Sequence, residues 1–373
     1  MPAPGVLFGS AHMATADQHG GSALDRILLR VGPEGTEVEM PLHERDRYKG
    51  ILAREIRPNE EALDAAYEKY APSNPFLPIT HFVDHATMGP EALVALGLGG
   101  HVGAWIARHE VRTYTPPSTG IDLDTNWTAA LGRAECHGDW LMQLAHELRV
   151  HHFEDVLARW VPRFVHEVGS WMFHGLIRTA HAVRALEHRD TPARRGELAR
   201  GLALWATGVK TPPPGRGDPI ESGALARDIL QLARAGAAAF VKDPSIPAVH
   251  WVTGPMAYLL IAHHVDPRLH PVAVASFART HARVLEDFGD AKRKAEAAPI
   301  PRLDEAQLER LAKEGDAHPI KLTEAALRAY DRTDDDLFLR AAGRMQDTTA
   351  VGRALRTARR LIVGQLHRRH PAI

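Results

Sequence analysis

A helical spacing of apolar residues begins at Asn59 and continues through most of the chain. In residues 153–168, apolar side chains recur every three or four positions, which places them on one face of an α-helix. Proline and glycine interrupt this pattern at intervals typical of helix ends. Residues 24–40 alternate loosely instead, and there a β-hairpin and an irregular loop are both consistent with the pattern. The sequence therefore predicts an all-α fold of more than ten helices, preceded by a short irregular or β-hairpin segment.

Several helix limits can be predicted from local signals. Thr191 and Pro192 are typical of a helix start, and either Asp316 or His318 is expected to cap another helix. We also predict one continuous helix over 92–107, with Pro90 in its first turn, and a helix over 171–186 opened by Gly169 and Ser170.

The domain organisation is predicted to be simple. Residues 1–22 carry no helical pattern and no secretory signal, so we expect a disordered segment, of which 1–12 is also consistent with a cloning remnant. Residues 23–373 are long enough for one large domain or two smaller ones. The proline-rich stretch 208–219 is the clearest loop, and we interpret it as a surface excursion within one helical domain rather than a boundary.

Composition narrows the classes of function. The chain has 45 Lys and Arg against 46 Asp and Glu, so its charge balance does not favour nucleic acid or an anionic membrane as partner. No apolar run approaches the roughly 18–20 residues of a membrane span. The single cysteine, Cys136, excludes disulfides within the chain and iron–sulfur clusters. We expect a soluble cytoplasmic protein that acts on a small molecule or binds a protein partner; the oligomeric state is left open.

The 23 histidines are the strongest compositional deviation. The stretch 316–321 contains His318 and Lys321, and three upstream segments each offer a histidine that could converge on it: His85, His174 or His181, and His250. Lys321 lies near the start of a helix, where a cation opposes the macrodipole. Reaction with carbon dioxide would turn it into an anion able to bind a metal; the alternative is an ordinary lysine that points to water.

His174 and His181 are seven residues apart and share one helix face, with Arg178 between them. They are either two hydrogen-bonded core histidines, or a metal ligand and a second residue that, with Arg178, orients the substrate or the ligand ring. His264 lies about four turns beyond His250 and cannot bind the same metal. The chain has no P-loop, Rossmann, GxSxG or HExxH motif, so any NADPH site would have to be unlike a Rossmann fold.

Four ordered stretches carry a family resemblance: 85–93, 173–178, 250–253 and 316–321. In these the chain resembles the questin oxidase-like family of fungal aromatic polyketide pathways and bacteria. Asp84 departs from the family pattern, which usually has Asn before the histidine. The resemblance implies a non-haem Fe(II) enzyme that uses molecular oxygen, with NADPH as a possible reductant. Its reaction would be oxidative C–C cleavage, Baeyer–Villiger-like or by a dioxygenase, of an anthraquinone-type polycyclic aromatic polyketide.

Carried over by position, the resemblance implies a specific set of residues. The metal ligands would be His85, His174, His250, His318 and a carboxylated Lys321. Relatives often have another residue at the position of His181, and the prediction that His181 and Arg178 are catalytic residues, which take a proton or hold the substrate, is our own. Imidazole and carboxylate ligands suit Fe(II). Two other classes are also consistent with the sequence. A metal-dependent hydrolase could use the same histidines and modified lysine to activate water, and a non-catalytic helical binding protein would leave the histidines in its core.

Overall fold

The computed structural model describes residues 60–76, 83–111, 115–300, 303–314 and 316–346. Within these ranges the backbone forms 15 α-helices, short 3₁₀ turns and no β-strand, which confirms the predicted all-α class and a count above ten. One isolated β-bridge joins Phe76 to Val83. The predicted disordered segment 1–22 and the possible hairpin at 24–40 lie outside the described residues. None of the described helices is long and apolar enough to cross a membrane.

The helices are numbered here in chain order. They are α1 (Glu60–Tyr70), α2 (Met88–Ala95), α3 (Val102–Arg108), α4 (Leu123–Asn126), α5 (His137–Val150), α6 (Phe153–Phe164), α7 (His174–His188), α8 (Pro192–Ala206), α9 (Ser222–Lys242), α10 (Ile246–Ile261), α11 (His270–Glu286), α12 (Phe288–Glu296), α13 (Glu305–Glu314), α14 (Ala317–Thr333) and α15 (Asp336–Gln346).

Side-chain caps fix the starts of three helices that matter for the site. Thr191 accepts a hydrogen bond from the Arg194 amide at the start of α8, and Ser245 accepts one from the Ala248 amide at the start of α10. At the start of α14, Asp316 accepts from the amide of His318, so Asp316 is the cap. Each cap satisfies an amide that has no partner within the helix.

The predicted single helix over 92–107 is wrong. Helix α2 ends at Ala95, Gly97 adopts a left-handed backbone with φ of 73°, and a 3₁₀ turn at Gly99–His101 leads into α3. Glycine takes this conformation without the steric cost that a side chain would add. The periodicity of the apolar residues continues across the break, which is why the sequence pattern did not reveal it.

The central helices α7, α8, α10 and α14 are packed around one continuous core of buried apolar side chains that extends from Leu63 to Met345. Helix α7 packs against both α8 and α10, and α10 also packs against α9 and α14. Gly175 allows a close approach of α7 to α8, because a Cβ atom there would lie 2.5 Å from the Cα atom of Trp205 in α8. The start of α7 is therefore held at a fixed depth inside the bundle.

Candidate metal centre

Four histidines from four separate parts of the chain meet inside the bundle. His85 precedes α2, His174 is the first residue of α7, His250 lies in the first half of α10, and His318 is the second residue of α14. The Nε2 atom of His174 is 2.6 Å from Nε2 of His85 and 3.1 Å from Nε2 of His250. The ring centroids of His85 and His318 are 4.3 Å apart. The structure therefore brings together all four predicted histidine ligands.

The orientation of two rings is set by backbone carbonyls on their outer side. His174 Nδ1 donates to the carbonyl of Trp171, and His250 Nδ1 donates to the carbonyl of Ile246 at 2.8 Å. A carbonyl oxygen can only accept, so each neutral ring carries its proton on Nδ1 and presents an unprotonated Nε2. Two lone pairs thus face each other at 3.1 Å. A shared cation between them would turn this repulsion into attraction, and such outer hydrogen bonds are typical of metal-binding histidines.

His318 and Lys321 complete the cluster from the first turns of α14. The Nε2 atom of His318 and the Nζ atom of Lys321 are both buried and have no hydrogen-bond partner among the described residues. On its outer side, His318 Nδ1 lies 3.4 Å from the carboxylate of Asp316. Buried polar groups are nearly always satisfied, so two orphaned ones aimed at one cluster indicate a missing partner. The predicted set of four histidines and one lysine is therefore assembled in one place.

Burial controls the protonation of this cluster. The Lys321 side chain is 1% exposed, and burial lowers its pKa from 10.5 to about 7. Burial, followed by the nearby Lys321 charge, holds the pKa of His85 and of His174 well below 6.5. For His250 the causes of the lowered pKa are burial, then His174, then Lys321. Neutral imidazoles and a partly neutral amine are the forms that can bind a metal or react with carbon dioxide.

A left-handed turn positions His174. Trp171, Met172 and Phe173 have φ values of 50°, 53° and 67°, although none of them is glycine. The predicted helix over 171–186 therefore begins only at His174, which corrects the sequence-based limit. Left-handed backbone costs roughly 1–2 kcal/mol for each such residue, and such strain clusters at functional sites. The turn aims the Trp171 carbonyl at the ring of His174.

Close packing holds this turn in place. The ring of Phe173 stacks on Phe277 with centroids 5.7 Å apart, and a Cβ atom at Gly254 would lie 2.6 Å from its Cγ atom. Trp171 Nε1 donates to the Thr207 hydroxyl. Nothing in the local sequence 169–173 distinguishes this turn from a helix start, because the contacts that select it come from α8, α10 and α11.

The two predicted catalytic residues lie further along α7. Arg178 is buried and donates to both carboxylate oxygens of Glu197 in α8, at 2.6 and 2.9 Å. Its pKa is raised by this partner despite the opposing effect of burial. His181, about 10 Å beyond His174 along the helix, has its Nδ1 atom 2.8 Å from the carboxylate of Glu91. Arg178 and His181 are therefore each paired with a buried carboxylate. Their roles toward a substrate stay predictions.

A buried network of charges around His181 was not predicted from the sequence. Arg184 donates to both carboxylate oxygens of Glu91, at 2.6 and 2.7 Å, and also to Glu324 of α14. The pKa of Glu91 falls to about 2, because Arg184 and His181 outweigh the effect of burial. The network ties α2, α7 and α14 together behind the histidine cluster. The one feature of the sequence that could have indicated this network is that Glu91, Arg184 and Glu324 are charged residues on helix faces that are otherwise apolar.

A cleft of about 1020 Å³ is lined in part by Gly169, Ser170 and Trp171, and its lining includes none of the four clustered histidines. Its walls come from the loop that was predicted at 208–219 and from α11, and Trp171 forms part of its lining. The charged side chains that line it are Glu167, Lys210, Arg216 and Arg279. A cleft of this volume can hold a molecule of several fused rings.

Comparison with known proteins adds no assignment: no protein-family model matches the chain, and no curated protein matches it at a significant level. The function must therefore be argued from the geometry of the site.

Proposed function

We propose that the protein is a non-haem Fe(II)-dependent oxygenase whose metal is held by His85, His174, His250, His318 and a carboxylated Lys321. The observation that carries this proposal is the convergence of unprotonated imidazole nitrogens near a buried lysine amine that has no described hydrogen-bond partner. Polar groups that are buried without hydrogen-bond partners are costly, so a fold that keeps this arrangement is best explained by a bound ion.

The residues fit such a centre chemically. The Lys321 amine would attack carbon dioxide, forming an N–C bond and releasing a proton, to give a carbamate with one negative charge. That anion would lie in the first turns of α14, where the helix dipole favours negative charge. Four neutral imidazoles and one anionic oxygen ligand suit Fe(II), and zinc would also accept them.

The expected reaction is oxidative C–C cleavage of an anthraquinone-type or related polycyclic aromatic polyketide, with molecular oxygen as co-substrate and NADPH as a possible electron source. When bound, Fe(II) would supply the redox chemistry that oxygen activation requires. The protein's own contribution is to hold His174 through the Trp171 carbonyl and to keep water out of the buried cluster. We place the aromatic substrate in the cleft beside Trp171. Arg178 and His181 do not line this cleft, so their roles as catalytic residues stay predictions.

The test is turnover by anaerobically iron-loaded protein with a panel of hydroxyanthraquinones, measured as oxygen consumption with and without NADPH. We expect oxygen-dependent product formation that is abolished in His174→Ala and His318→Ala. A variant of a buried histidine outside the cluster, His281→Gln, is the control and should retain turnover.

Three outcomes would contradict the proposal. Full metal content and turnover in His174→Ala and His318→Ala would remove these residues from the site. A zinc-loaded protein that hydrolyses substrate without oxygen would establish the hydrolase alternative. Protein that takes up no metal after anaerobic loading would leave a helical binding protein.

A further inference from the structure

A second group of metal-ligand side chains lies at the opposite ends of α7 and α10. It consists of Glu187, His263 and His264, whose ligand atoms all lie within 4.8 Å of one another. The Nε2 atoms of His263 and His264 are 2.6 and 2.8 Å from the same carboxylate oxygen of Glu187. Two adjacent histidines therefore turn both rings toward a single acceptor.

The position of this group follows from the packing of the two helices. His174 and Glu187 are thirteen residues apart along α7, and His250 and His263 are thirteen residues apart along α10 and the turn that follows it. At 1.5 Å per residue this separation is about 20 Å. Because the two helices pack side by side, they meet at one end in the buried histidine cluster and at the other in the Glu187 group. The second group is therefore separate from the first.

The donor set is suited to a borderline divalent cation. Two imidazoles and one carboxylate are the protein ligands of many three-ligand zinc sites, with open positions left for water. The side chain of His263 is 59% exposed and that of Glu187 is 34% exposed, so an ion can reach the group from solvent. His264 is 14% exposed, and its ring also contacts Phe153 of α6. One ring is thus fixed by packing while the other is free to adjust by the few tenths of an ångström that coordination needs.

We propose that Glu187, His263 and His264 form a second divalent-metal site, of the zinc type, that fastens the C-terminal end of α7 to the turn after α10. This site does not depend on the identity of the buried centre. In the metal-free protein the same three side chains form two hydrogen bonds to one carboxylate, which is a weaker link between the two helices than coordination to a shared ion.

The experiment is a Zn²⁺ titration of the metal-free full-length protein by calorimetry, with equilibrium dialysis to count bound ions. We compare wild type with His263→Ala/His264→Ala and with Glu187→Gln, which keeps a hydrogen-bond acceptor but removes the charge. His151→Ala is the matched control, because it removes another exposed histidine, two residues before Phe153, whose ring contacts His264. Unfolding followed by circular dichroism without metal verifies that each variant is folded.

We expect the double variant to bind one zinc ion fewer per chain than wild type, and Glu187→Gln to bind this ion more weakly by at least tenfold. The His151→Ala control should match wild type. A His318→Ala variant should keep the second site, so failure of the buried centre and failure of this site are distinguishable. Equal stoichiometry and affinity in wild type and the double variant would overturn the proposal.

Discussion

Replacing Lys321 with methionine should stabilise the metal-free protein. The side chain is buried, its amine has no described hydrogen-bond partner, and its pKa is lowered from 10.5 to about 7. Each pKa unit corresponds to about 1.36 kcal/mol. The fall therefore corresponds to a cost of about 4 kcal/mol at pH 7, and methionine has a similar length and no charge, so it avoids this cost.

The sign of the pH dependence follows from the direction of the pKa change. Between pH 7 and 10.5 the unfolded chain binds the lysine proton while the folded chain has largely released it. Wild type therefore gains stability relative to Lys321→Met as pH rises, and the difference should shrink to about 2 kcal/mol at pH 9. If a partner kept the pKa of Lys321 near its ordinary value, the difference in free energy of unfolding between wild type and Lys321→Met would not decrease between pH 7 and pH 9.

The assay is urea unfolding of metal-free protein in carbon-dioxide-free buffer at pH 7 and pH 9, followed by circular dichroism. Lys313→Met, which replaces a lysine side chain that is 68% exposed, is the control and should change the free energy of unfolding by less than about 0.5 kcal/mol. A Lys321→Met variant that is less stable than wild type at pH 7 would refute the reasoning, because it would show that the amine contributes a favourable interaction in the metal-free state.

Three further predictions concern the framework of the site. Metal-free protein should lose stability as the pH falls from 7.5 to 5.5 in urea titrations. The histidines of the unfolded chain bind protons near pH 6.5, whereas burial holds the pKa of His85, His174 and His250 well below that value in the fold. A flat profile would contradict this. Gly175→Ala should lower the free energy of unfolding by about 1–3 kcal/mol, because the added Cβ would clash with α8. Alanine at a glycine whose added Cβ would meet no atom within 4 Å should leave the thermal unfolding unchanged. Arg178→Met should cost at most about 3–5 kcal/mol, because the buried carboxylate of Glu197 would keep only its longer ion pair with Arg200, at 3.5 Å. Neutralising that carboxylate as well should restore part of the loss.

Much of the helical architecture could be predicted, because the spacing of apolar residues and the capping residues are local signals. Thr191 with Pro192 marked the start of α8 correctly, and Asp316 was one of the two caps expected for α14. The break at Gly97 escaped prediction because apolar residues continue across it. Residue identity alone did not distinguish a glycine in a helix from one that ends it.

The candidate site was likewise only partly predictable, because some of its features follow from short stretches of sequence and others from contacts between distant residues. The four histidines and Lys321 were predicted as one cluster, and the structure places the four histidines together with the lysine beside them. The left-handed turn before His174 could not be predicted, since contacts with Phe277 and Gly254 on other helices select it. Pairings between distant charges, as in the Arg184 network, likewise depend on tertiary packing that no short stretch of sequence records.

The most direct test of the central claim is the iron content of anaerobically loaded protein, measured by plasma mass spectrometry in a His263→Ala/His264→Ala background so that the second site does not contribute. With five ligands in place, we predict about one iron per chain, lost when His318→Ala is added and retained when His281→Gln is added instead. The same iron content in all three proteins, or none in the background protein, would contradict a metal centre at the four histidines and Lys321.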